Sequence, residues 1–159
     1  MATKSLVDDL RAVPDLSVLD SVTAEPPPFQ LVQMRMIRDL IEERCPDEVL
    51  WAATYGAAVE KLLRDRGNTS AKAPRARLDV FMVVDVESFL ERYRILAEKV
   101  LGPVLQATGK WIEPLLWTPS QLENATEVSD KTVRRIASTG VSIYGTPDAA
   151  IERAQSGVS

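Results

Sequence analysis

Three apolar runs of strand length constrain this chain more than any other feature. They are Val49 to Thr54, Leu78 to Val84 ("LDVFMVV") and Trp111 to Trp117 ("WIEPLLW"). The first two read as buried strands covered on both faces, and Pro114 places the third at an edge or bulge. The segments between them carry helical periodicity. Leu31, Met34, Ile37, Leu40 and Ile41 recur at helical spacing until Cys45-Pro46 stops them. Val59, Leu62 and Leu63 mark a helix over 57–64, and Phe89, Tyr93, Leu96 and Val100 mark another, which Gly102-Pro103 ends or bends. Thr118-Pro119-Ser120 opens a helix with proline in its first turn. Val133, Ile136 and Ala137 define one more, closed by Gly140 and followed by a short strand, "VSIYG". The expected fold class is α/β (α+β), a small mixed β-sheet flanked by helices.

The expected organisation has three parts. Residues 1–28 form an N-terminal arm with two short apolar stripes, Leu6/Leu10/Val13 and Leu16/Leu19/Val22, ahead of a proline-rich linker, Pro26-Pro27-Pro28. Stripes this short form no core of their own. The arm is therefore expected either to dock loosely on its own domain or to pack on a partner, through self-association or binding of a second protein. Asp8, Asp9, Asp15 and Asp20 lie among its apolar positions and suit a basic groove. Residues 29–146 form the domain, and 147–159 read as a polar tail. The stretch 64–77, "RDRGNTSAKAPRAR", is a basic loop.

Composition removes several chemistries. The chain has no histidine and one cysteine, Cys45. Histidine bases, histidine metal ligands and cysteine zinc clusters are thereby excluded. Any metal must be held mainly by oxygen, which points to magnesium. The net charge of -4 offers nucleic acid no bulk attraction. The N-terminus lacks a secretory h-region, and no apolar run approaches the ~20 residues of a membrane span. The expectation is a cytoplasmic protein with no membrane partner.

Two carboxylates stand out. Asp79 lies within an apolar strand, a costly position unless it is paired or holds a cation. Glu113 lies in the third run. If those strands are neighbours, the two converge on one magnesium; otherwise Asp79 pairs with Arg75 or Arg77. Asp85, at the far end of the second run, is expected to cap the next helix. Tyr55-Gly56 ends the first run, where glycine lets backbone approach a ligand closely.

Tyr55-Gly56-Ala57, "ARLDVFMVVD" (76–85), "IEPLLWTPSQL" (112–122) and "VRRIASTGVSIYG" (133–145) together resemble the nucleotidyltransferase superfamily, the polymerase-beta-like fold of minimal nucleotidyltransferases and antitoxins of that type. The resemblance covers roughly 29–146. It implies Asp79 and Glu113 as catalytic, magnesium-binding carboxylates. It also implies a phosphate-binding turn at Tyr55, Gly56 and Ala57, with Lys61 or Arg75 offsetting phosphate charge. The signature is degenerate. Ala57 stands where the family has serine, and Arg77 replaces the first strand carboxylate, either pairing with Asp79 or taking over a phosphate contact. The missing serine and first carboxylate favour a non-catalytic relative that binds a protein partner, antitoxin-like or regulatory, needing no cofactor; the fold resemblance alone supports neither this nor an enzyme. The alternative it implies is a magnesium-dependent enzyme moving a nucleotidyl group from a nucleoside triphosphate to a protein, RNA or small-molecule hydroxyl. A dimerisation module without a ligand is a third expectation.

Overall fold

The computed structural model describes residues 5–67 and 72–156. Four strands form one mixed sheet in the order β3-β2-β1-β4. β1 (Val49–Tyr55) is flanked antiparallel by β2 (Asp79–Val84) and β4 (Val141–Gly145), while β3 (Pro114–Trp117) runs parallel to β2. The first two apolar runs thus become the two central strands, as their burial demands.

Helices cover both faces. On one lie α2 (Phe29–Arg44), α3 (Ala57–Asp65), α4 (Phe89–Leu96) and α5 (Gly102–Thr108), with Met34, Ile37, Met82 and Val100 buried between them and the sheet. On the other lie α1 (Leu6–Arg11), α6 (Pro119–Glu127), α7 (Lys131–Thr139) and α8 (Pro147–Ser156), closing over Trp51, Phe81, Leu122 and Ile136. On this second face Trp51, Phe81 and Trp117 meet edge to face across β1, β2 and β3, at 5.4 and 5.0 Å between centroids. Trp51 Nε1 donates to Ser142 Oγ at 2.9 Å, so the buried indole is satisfied.

Local chemistry sets the element ends. Thr118 and Gln121 form a reciprocal capping box at α6. Gly140 ends α7, donating to Ile136 O at 2.8 Å. A Cβ on Gly140 would lie 2.5 Å from that oxygen. The α4 helix neither stops nor breaks at Gly102-Pro103. A π-helical turn over Ala97–Leu101 carries it into α5. Pro103 has no N–H to offer the Lys99 carbonyl four residues back. Arg44 Nη1 donates to that carbonyl instead, at 3.3 Å.

Several sequence expectations are corrected. Pro147–Ser156 is not part of a polar tail but the helix α8, which buries Pro147, Ala150, Ile151 and Ala154. The remaining three residues, 157–159, lie outside the described ones. Residues 5–28 are not a loose arm. Leu10 and Leu19 are wholly buried, and Leu16 nearly so, on opposite faces of the sheet. Ser142 N donates to Pro14 O at 2.8 Å, so this segment also covers the β4 edge. The third run is a shorter strand than expected: Trp111, Ile112 and Glu113 precede the ladder, whose first rung pairs Val80 with Pro114. Asp85 does not cap α4. Ser88, immediately before the helix, accepts from Glu91 N, and Asp85 instead pairs with Arg153 Nε of α8 at 2.8 Å.

Candidate functional site

The glycine turn and the strand carboxylate meet at one end of the sheet. Tyr55 closes β1 and pairs in register with Asp79, the first residue of β2. Gly56 follows with φ +95°, a conformation that disfavours any side chain, and opens α3. A Cβ on Gly56 would lie 2.8 Å from Asp79 Oδ2. The carboxylate therefore stands directly against the turn.

Electrostatics link this pair to α7. The Tyr55 phenol is pushed above its ordinary value, first by burial and then by the charge of Asp79, with Arg135 pulling the other way. Arg135 also reaches Glu60 on α3, Nη2 to Oε2 3.8 Å. The half-buried Tyr55, Glu60 and Asp79 and the exposed Arg135 thus form a polar cluster near Gly56. Sequence reasoning finds Tyr55, Gly56 and Asp79 but misses Glu60 and Arg135. Arg135 sits on the polar face of α7, where a functional arginine and a solvated one read alike.

Of the other expected residues, only Glu113 lies immediately ahead of β3, the strand next to that of Asp79. Ala57 is the exposed first residue of α3 and has no hydroxyl to offer. Lys61 lies in the next turn, its ammonium ion-paired with Asp65. Arg75 and Arg77 are exposed in the loop entering β2, and no described ion pair joins either to Asp79. Glu113 is exposed and accepts from Trp111 Nε1 at 2.8 Å. It and Asp79 sit one residue outside the first β2–β3 rung, at the same end of the sheet. Among the described residues, no group of three or more metal-ligating side chains gathers there or elsewhere.

The chain matches no family model, no curated protein and no solved structure.

The donors present fit a magnesium nucleotide poorly. The space beside Gly56 is held by an anion rather than open to one. The turn lacks a hydroxyl, the nearest helical lysine is engaged by Asp65, and Glu113 is bound to an indole N–H. A phosphate brought to this turn would meet Asp79 head on. Asp79 lies beside the start of α3, where a partial positive charge favours an anion.

Proposed function

We propose that this chain has a nucleotidyltransferase-like fold with a closed nucleotide turn, and that it acts by binding a protein partner in an antitoxin-like or regulatory role. One observation carries the reading: Asp79 Oδ2 stands where a side chain at residue 56 would begin, so an anion already lies beside the turn. The absence of serine at Ala57 and of an acid at Arg77 supports the same conclusion. Leu10, Leu16 and Leu19 are buried in the chain's own core, so we assign partner binding to a surface that does not depend on these leucines.

Calorimetry with each nucleoside triphosphate, with and without magnesium, tests the proposal. The expected result is no magnesium-dependent heat at millimolar nucleotide. Magnesium-dependent heat that disappears in Asp79→Asn would overturn it. That outcome would support the enzyme alternative, transfer from a nucleoside triphosphate to a protein, RNA or small-molecule hydroxyl, with Asp79 and Glu113 holding the metal.

A further inference from the structure

The chain is acidic overall, but its charge is segregated. Residues 61–77 hold six cations, Lys61, Arg64, Arg66, Lys72, Arg75 and Arg77, against one acid, Asp65. The rest of the chain holds thirteen cations against twenty-two acids. Asp65 is already engaged by Lys61, with Arg64 Nε at 3.9 Å. Arg66, Lys72, Arg75 and Arg77 are exposed, and no ion pair among the described residues reaches them. Residues 68–71 lie outside the described ones and form no part of the surface considered.

Lys61 and Lys72 meet at one depression, and the backbone carrying Arg75 and Arg77 is anchored next to it. Lys61 and Lys72 line a shallow depression with Val22 and Pro28, just ahead of α2. Two residues on, the wholly buried Gln30 donates through Nε2 to Pro74 O at 2.6 Å and to Ala76 O at 3.0 Å. Two hydrogen bonds from a buried side chain hold the backbone that carries Arg75 and Arg77, so these arginines extend from a fixed base.

Deepening the partner-binding reading and resting on it, we infer that this surface docks an acidic segment of a protein partner. Four of the six cations are arginines, whose planar forks match carboxylates in pairs. No aromatic residue lies within 61–77 to stack on bases, the usual means of holding single-stranded nucleic acid. A long, uniformly charged nucleic acid would also run off the patch onto the acidic remainder of the chain, whereas a short acidic segment ends where the patch ends.

The test is fluorescence anisotropy of a labelled, glutamate-rich peptide with the full chain at low salt, beside an oligothymidylate of equal charge. The peptide should bind saturably and more tightly than the oligonucleotide. Arg75→Ser with Arg77→Ser should weaken it by about tenfold or more. Lys131→Ser with Arg134→Ser removes the same charge from the exposed face of α7 and should change binding less than about twofold. Absence of saturable peptide binding, equal losses in the two double variants, or tighter binding of the oligonucleotide would each overturn the inference. The two proposals fail separately. Magnesium-dependent nucleotide heat sinks the closed-turn reading without touching this titration, and a silent titration sinks this docking surface while leaving that reading in place.

Discussion

Asp79 and Gly56 are fitted to each other: the carboxylate fills the space in which a side chain at residue 56 would begin, 2.8 Å from Oδ2. Gly56 also holds φ +95°. Two separable costs therefore oppose Gly56→Ala, the contact and the backbone conformation. The substitution should destabilise the fold by roughly 1–3 kcal/mol in urea unfolding. Adding Asp79→Ala should recover the contact part but not the backbone part. A loss below about 0.5 kcal/mol for Gly56→Ala would show that the turn relaxes freely.

Removal of α8 should be severe. Ending the chain at Thr146 strips Pro147, Ala150, Ile151 and Ala154 from the second face and uncovers the apolar side chains beneath them. Burial of this kind contributes about 25 cal/mol per Å² of apolar surface, so several kcal/mol are at stake in a marginally stable domain. Thermal unfolding followed by circular dichroism should show a large drop in Tm or no cooperative transition. An unchanged Tm would mean that the helix is dispensable. By contrast, Arg153→Ala should cost no more than about 1 kcal/mol, because its pair with Asp85 is substantially exposed.

A chain starting at Phe29 should likewise lose stability, because Leu10, Leu16 and Leu19 leave cavities on both faces. Each buried leucine removed costs roughly 2–5 kcal/mol in other proteins. Loss of the cooperative transition is the expected outcome. A shortened chain with the full-length urea midpoint would contradict the packing of this segment.

Cys45 supplies a pH dependence. Burial, helped by the charge of Glu48 and opposed by Lys99 and Arg44, pushes its thiol from 9.0 up to about 11. The unfolded chain then releases this proton more readily than the folded one. The contribution is fully present below pH 9 and is lost as pH rises toward 11. At about 1.4 kcal/mol per unit, the loss is at most roughly 2–3 kcal/mol. Unfolding free energies measured across that range should fall more steeply in the natural chain than in Cys45→Ala. Parallel curves would remove Cys45 as the cause.

The elements most legible in the sequence are those whose signal is local and long. α2 repeats its apolar spacing over several turns, and β1 and β2 are nearly unbroken apolar runs. α8 escapes a sequence reading because two of its four buried residues are alanine and the stretch is short, a pattern close to that of a polar tail. β3 reads too long because Ile112 is buried without belonging to the ladder, and burial alone does not distinguish the two. Asp85 and Ser88 both suit a cap by residue type, and the choice turns on where the strand ends. At the site, Gly56 and Asp79 are each visible singly. Their contact depends on the Tyr55–Asp79 register, a long-range pairing that no short window of sequence carries.

The bond from Ser142 N to Pro14 O joins opposite ends of the message as well as of the chain. On the ribosome the first residues emerge long before α7 and α8 are made. Leu10, whose place is among Val133, Ile136 and Ile151, must stay exposed or be sheltered until then. Leu16 and Leu19 face the earlier-made α2 and α3 and can settle sooner. Until α7 and α8 have emerged, α1 lacks the helices it packs against. Completion of the sheet edge awaits release of the C-terminal fifth, which makes final closure a slow, non-local step.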